Sequence, residues 1–341
     1  TDKITTGPNA APNPAQAYDT KPSTLLSGSA AIIMAITATA STIRRPIHTN
    51  SCWAALGRKK PVYFGPYKVQ SIEAGQKAVW TRNEYYWRGT PSLSKITISI
   101  ISPKSVSTAI KERTYDIIEV VNSQWQQIRT TKNYRFVATI PLSYNYLGFK
   151  LGKWDEKTNS VKMNKNSKMA NKSLRQAIGY AMNVTQIQRK YTSGLTFRIK
   201  SLIPSQFGDY YDDKSKGYPY NPAKAKKLLD KAGYKLRSGE KYRRDPQGHK
   251  LVIHLAAMTG DASQSKIINN YIKKWKEIGL NVKLTTGHLL EFNTFYNLLF
   301  QDDSQVDMFI AGWTLNNEPS QNGIYGAGTQ YNLERFATKT N

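Results

Sequence analysis

The sequence predicts an α/β architecture with mixed sheets, and three observations carry that reading. Strand-like alternations exchange along the chain with helical stripes of period 3.6, the pattern of sheets flanked by helices. The 341 residues exceed what one core ordinarily organises and suit two domains. The composition, 39% hydrophobic with 7 Trp, 21 Tyr and 10 Phe, is that of a globular chain rather than a disordered one.

In chain order, residues 5–22 are rich in Pro, Ala, Asn and Thr and read as a linker or irregular arm. The apolar run at 30–40 has the length of a signal-peptide core but sits internally without a basic lead, so it reads as a buried helix or strand. Gly65-Pro66-Tyr67 marks a turn, and the alternation over 67–80, broken by Gly75, reads as a hairpin. The run 95–101 (KITISII) is a strand with Ile96, Ile98 and Ile100 on one face. A short helix at 105–113 and a strand at 115–121 follow. Over 142–151, Tyr144, Tyr146 and Gly148 alternate against Asn145, Leu147 and Phe149 as another strand.

Three helices announce themselves. Asn171 caps one with the stripe Leu174, Ala177, Ile178, Ala181 and Met182. Asn221-Pro222 is a cap and first-turn pair, and Gly233 closes that helix after Leu228 and Leu229. Ile267, Ile268, Tyr271, Ile272, Trp275 and Ile278 form the third stripe, ended by Gly279. Strands at 281–285 and 306–311 follow, the second buried and ending just before Gly312-Trp313.

Charge is the compositional oddity: 49 Lys+Arg against 23 Asp+Glu give +26. Such a field attracts polyanions, whether nucleic acid, wall polymers or an anionic membrane face. The basic residues are scattered, and their densest groups, Lys224–Lys227, Arg243 with Arg244, and Lys273, Lys274 and Lys276, fall on amphipathic stretches. They read as a solvated surface, and with no Cys/His finger or aromatic RNA-binding motif, specific nucleic-acid binding is not expected. No apolar run is long enough to span a membrane as a helix. A single cysteine, Cys52, excludes an internal disulfide framework and a cysteine zinc cluster.

Catalytic motifs are missing. His48, His249, His254 and His288 lack helical-spacing partners, and no HExxH, CxxC, phosphate-loop or G-x-S-x-G pattern occurs. The pairs Asp212-Asp213 and Asp302-Asp303 read as exposed loop acids. The sequence thus predicts neither an enzyme, nor a metal site, nor a cofactor.

From Tyr63 onward the order of motifs resembles the oligopeptide-binding proteins of ABC importers, solute-binding family 5, of the Gram-positive surface type. The pieces are Gly65-Pro66-Tyr67-Lys68-Val69, Thr81–Trp87 (TRNEYYW), Tyr146-Leu147-Gly148-Phe149 and Leu174–Ala181 (LRQAIGYA). Ile203-Pro204, Tyr220–Leu229 (YNPAKAKKLL), Trp275–Val282 (WKEIGLNV) and Asp307–Trp313 (DMFIAGW) complete the series. Each is mostly turn and packing grammar; the order of all eight is what carries the resemblance.

The resemblance implies a bilobal, type II periplasmic-binding-protein-like fold with hinge strands between the lobes. It implies capture of oligopeptides in the cleft and delivery to membrane permease subunits, by a monomer on the outer face of a Gram-positive membrane or wall, lipid-anchored in the precursor. Anionic wall polymers are a further expected partner. On this reading 1–60 is a poorly matching segment, 61–145 part of the first lobe, 146–311 the second lobe, and 312–341 a cleft-facing segment of a chain truncated at both ends.

A binder of varied peptides recognises the shared main chain, which adds as an extra strand, while side chains enter roomy wet pockets. The expected peptide-binding residues are Tyr144, Tyr146, Gly312, Trp313, Thr314, Asn316 and Glu318. Gly312 would let another backbone approach closely. By resemblance Asn316 stands where an acid receives the peptide ammonium, leaving Glu318 as the nearest carboxylate, so dependence on a free N-terminus is expected to be weak. Core packing is the competing reading for Trp313, Tyr144 and Tyr146, and an exposed turn acid for Glu318. Arg82–Trp87 reads as a covered structural hairpin. Two other classes stay open: a cationic surface adhesion protein, and a binder of sugar, nickel or haem on the same fold.

Overall fold

The computed structural model describes residues 31–35, 42–46, 63–120, 122–132, 134–196, 198–260 and 263–338. The expected arm at 5–22, His48 and Cys52 lie outside them. The chain divides into two compact units, the first reaching Ile140 and the second running on from Pro141.

The first unit holds β1 (Ala31–Ala35), β2 (Thr42–Pro46), β3 (Tyr67–Glu73), β4 (Lys77–Arg82), β5 (Lys95–Ser99), α1 (Val106–Lys111), β6 (Ile117–Val120), α2 (Trp125–Ile128) and β7 (Arg135–Thr139). β1 lies between β6 and β7, antiparallel to both, so the apolar run at 30–40 contains a strand. The second sheet runs β2-β5-β4-β3, with the expected β3–β4 hairpin turning through Gly75. Its buried side chains include Ala78, Val79 and Ile98.

One expectation fails here. The stretch after β4 is not covered, because Tyr85 is 88% and Trp87 73% exposed. The Asn83 side chain instead ties the turn to the Gly65 carbonyl at 2.9 Å, and the Arg88 guanidinium lies over the outward Trp87 ring. The turn is held through its backbone, so its rings need no cover.

The second unit contains β8 (Ser143–Phe149), β9 (Gly152–Asp155), β10 (Ser160–Met163), α3 (Lys172–Tyr180), α4 (Val184–Tyr191), α5 (Pro222–Lys231), β11 (Val252–Ala257), α6 (Gln264–Glu277), β12 (Asn281–Leu284), α7 (Phe292–Phe300), β13 (Met308–Thr314) and α8 (Asn322–Tyr325). The main sheet has the order β12-β11-β13-β8; β11 is parallel to β12 and β13, and β8 is antiparallel to β13. The boundary expected between residues 145 and 146 falls inside β8, all of which belongs to this unit.

Alternation along β13 feeds two cores. Met308 and Ile310 pack toward the side of α3, α4, α5 and α6, with Leu174, Ile178, Leu229, Leu255 and Trp275. Phe309 and Ala311 pack on the opposite face with Phe295 and Leu299 of α7 and with Leu333. Both cores therefore depend on this one strand keeping its register. The helices start as their sequences dictate, with Asn171 accepting from the Leu174 N–H at 3.1 Å and Asn221 from the Lys224 N–H at 2.8 Å. Trp275 is fully buried, its indole N–H donating to the Ile178 carbonyl at 3.0 Å.

Three readings are corrected in this unit. β13 spans Met308–Thr314 instead of ending before Gly312, because β8 offers a partner as far as Ser143. Arg243 is buried rather than part of a solvated basic surface; it bonds to the Ile278 and Tyr234 carbonyls and pairs with Asp230. Asp302 is no exposed loop acid, since its side chain is 8% exposed and sits between two buried cations. Asp212 and Asp213 are exposed, as expected.

Candidate functional site

Five of the seven expected site residues, Tyr144, Tyr146, Gly312, Trp313 and Thr314, converge on the end of the β8–β13 pair. Trp313 stands opposite Tyr144, Gly312 opposite Asn145, and Thr314 opposite Ser143. β11 accompanies β13 only from Met308 to Ile310, so among the described strands Ala311–Thr314 is paired on the β8 side alone. A half-paired strand end leaves main-chain donors and acceptors along one edge.

Around that edge lies an aromatic cluster. The Trp313 indole N–H donates to the Tyr146 hydroxyl at 3.1 Å, and the Tyr144 hydroxyl lies 2.9 Å from that of Tyr325 and donates to the Gln321 side chain at 3.2 Å. Tyr146 meets Tyr144, Phe309 and Tyr325 edge-on, and Trp313 meets Tyr331 in the same way at 5.9 Å. Such T-shaped pairs fix ring orientation as well as burying area. Burial pushes the Tyr144 phenol up to about 12 and raises those of Tyr146 and Tyr325 as well, so all three stay neutral donors and acceptors at physiological pH.

Gly312 makes room within its own sheet. A Cβ on Gly312 would stand 2.5 Å from the Asn145 side chain and 3.3 Å from the Tyr144 carbonyl, so the neighbour it admits closely is β8 of its own sheet. Thr314, Asn316 and Glu318 are exposed, the last two on the stretch beyond Leu315. Leu315 is buried and its N–H donates to the Leu142 carbonyl at 2.7 Å, which fixes where that stretch departs. Neither Asn316 nor Glu318 has an ion-pair or hydrogen-bond partner among the described residues.

Sequence reasoning missed Gln321, Tyr325, Tyr331 and Glu334, which the chain brings to the cluster from the start of α8, from α8 itself and from the segment beyond it. It also missed what anchors that segment. Lys150 Nζ lies 2.5 Å from Asp302 and donates to the Leu299 and Leu333 carbonyls, while Arg335 pairs with Asp302 at 2.7 Å and donates to the Gln330 carbonyl. Burial drives the Lys150 ammonium down to about 8 against the pull of Asp302. Burial also works against the Asp302 carboxylate, but the two cations hold it below its usual range. An acid in a stretch without periodicity, here beside Asp303, gives no local sign of such a pairing.

This arrangement is a rigid aromatic wall beside an open strand edge. Among the described residues no group of three or more His, Cys, Asp or Glu is placed to hold a metal ion, and no helix is long and apolar enough to cross a membrane.

The sequence pattern of the bacterial extracellular solute-binding proteins, family 5 (Middle), matches residues 12–334. The chain belongs to that family. Among curated family 5 relatives, the oligopeptide-binding protein OppA of Lactococcus lactis subsp. lactis is 34% identical over 281 residues, covering 81% of this chain and 47% of its own. The solved structure of lactococcal OppA, complexed with an endogenous peptide in the closed conformation, superposes with a TM-score of 0.76 at 33% identity, over 81% of this chain and 52% of that one. AppA of Bacillus subtilis, solved with a nonapeptide, shares the fold at a TM-score of 0.66 and 23% identity, over 83% of this chain and 54% of its own. The fold is that of the type II periplasmic binding proteins, and the family is one of binding proteins, not enzymes. The chain spans about half the length of the relatives it matches.

Proposed function

We propose that this family 5 chain is the peptide-holding portion of an extracytoplasmic oligopeptide-binding protein that serves an ABC importer. The observation that carries the reading is the half-paired end of β13: Ala311–Thr314 has β8 on one side and an open main-chain edge on the other, beside Trp313, Tyr144 and Tyr146. An extended peptide adds to such an edge by main-chain hydrogen bonds, which serve every sequence alike. Thr314 lies at the end of that edge. Asn316 and Glu318 stand farther out, where they meet a peptide terminus or side chain through water. With no acid inside the cluster that is open to solvent, binding depends weakly on a free peptide N-terminus.

Delivery to permease subunits, action as a monomer, and residence on the outer face of a Gram-positive cell by way of a lipid anchor in the precursor belong to the same proposal. The relative of 34% identity, named for oligopeptide binding, supports the peptide-binding part of it. The test is intrinsic tryptophan fluorescence during titration with mixed peptides of about four to ten residues, a length that spans an added strand. A saturable change is expected, and no change with any peptide contradicts the reading.

A second reading rests on the +26 charge. Lys224, Lys226, Lys227 and Lys231 on α5, with Lys273 and Lys276 on α6, are exposed and suit a polyanionic wall polymer. Retention on heparin that vanishes at moderate salt, without any peptide binding, would favour this over transport.

A further inference from the structure

Glu334 is the titratable group of the aromatic cluster that main-chain peptide capture leaves without a task. Both of its carboxylate oxygens are closed off from solvent, and neither is in a hydrogen bond. It lies against β8 at Gly148, where a Cβ would come 2.8 Å from its Oε1. The ionisable groups that act on it are Tyr144 and Tyr146 from β8, Tyr325 from α8, Lys150 just beyond β8, and Arg335 next in the chain.

Most of these groups are already committed. Lys150 and Arg335 are paired with Asp302 just past the end of α7 and bonded to main-chain carbonyls. The Tyr144 hydroxyl is bound to Gln321 and Tyr325. The Tyr146 hydroxyl differs: it accepts from the Trp313 indole, and the acceptor its own proton can reach is the Glu334 carboxyl. It faces Glu334 closely enough for each to alter the other's proton affinity, in a loose contact that is not yet a well-formed hydrogen bond.

We propose that Glu334 is a positioning residue for Trp313, acting through Tyr146. With the carboxylate charged, the Tyr146 O–H turns to donate to it, forming a short charge-assisted bond. The phenol oxygen is then fixed, and polarised, as the acceptor for the Trp313 indole. With the carboxyl protonated the relay slackens and Trp313 loses its tether. Burial pushes Glu334 up to about 7, so both states are populated near neutral pH. The role of Trp313 as a wall of the peptide site rests on the function proposed above; the relay itself does not.

The experiment is a pH titration, from about 5.5 to 8.5, of the emission due to Trp313, taken as the difference between the protein and its Trp313→Phe variant, with no peptide present. The expected result is a shift in that emission with a midpoint near 7, abolished in both Glu334→Gln and Tyr146→Phe while far-UV circular dichroism stays constant. A shift that survives in either variant, or a Trp313 signal flat across the range, overturns the proposal. Should Trp313→Phe fail to fold, total emission of the parent and of Tyr146→Phe decides the matter by the same criterion. In a second arm, affinity for a mixture of synthetic hexapeptides is expected to be tighter at pH 8 than at pH 6, and to lose that dependence in Glu334→Gln. Absence of peptide binding at every pH would sink the peptide function and leave the relay to be judged by the emission arm.

Discussion

Trp313 and Tyr146 are joined diagonally across the β8–β13 pair, the indole N–H donating to the phenol oxygen at 3.1 Å. The bond fixes the plane of the Trp313 ring beside the strand edge that Ala311–Thr314 leaves open. A preset wall lowers the ordering cost of any ligand that packs on it.

Removing the phenol oxygen tests this directly. Tyr146→Phe keeps the ring contacts with Tyr144, Phe309 and Tyr325 but leaves a half-buried indole N–H without its acceptor. A destabilisation of about 1–2 kcal/mol is expected in urea unfolding, with weaker peptide binding.

Asp302 pairs with two buried cations at once. Asp302→Ala strands Lys150 and Arg335 in the interior, so a loss of about 3–5 kcal/mol is expected. Replacing an exposed acid such as Asp213 is expected to change stability by no more than about 0.5 kcal/mol, measured in the same denaturation series.

The two glycines of the β8–β13 pair differ in tolerance. A Cβ on Gly148 would run into the Phe309 ring and the buried Glu334 carboxylate, neither of which has room to move. On Gly312 its closest contact is the exposed Asn145 side chain, which can swing away. Gly148→Ala is expected to cost about 1–3 kcal/mol and Gly312→Ala markedly less, a ranking that thermal melts decide.

Glu334 also writes itself into the pH dependence of stability. Its folded-state value of about 7 lies above the 4.5 of the free side chain, so the folded protein holds the proton more tightly. That advantage is full below about 4.5 and is lost as pH rises to about 7. Relative to Glu334→Gln, the parent is therefore expected to lose stability across that window and to run parallel above it; parallel curves throughout would refute the assignment.

Much of this fold was legible because its signals are local. Asn171 and Asn221 sit where a side-chain acceptor must cap a helix, and the stripe through Ile268, Tyr271 and Trp275 is the buried face of α6. α7 escaped because Glu291, an unusual cap, starts it, and because its run of aromatic and apolar residues shows no polar face over much of its length. The strand β8 was legible as alternation, down to Tyr144 and Tyr146, whereas Trp313 entered through its resemblance-bearing Gly-Trp segment. Glu334 and Asp302 were not, since their partners lie at Tyr146 and Lys150, far away in sequence, and no periodicity encodes such a meeting. Gly312 was found for a reason that structure revises: the backbone it admits is that of β8.

The central claim is that the open edge of β13 holds the main chain of a peptide. Native mass spectrometry of the gently purified protein, followed by denaturation and sequencing of whatever is released, tests it most directly. A ladder of short peptides of varied sequence, lost or refilled on soaking with a synthetic mixture, is the predicted result. A bare 38.5 kDa mass that no peptide mixture shifts would contradict it.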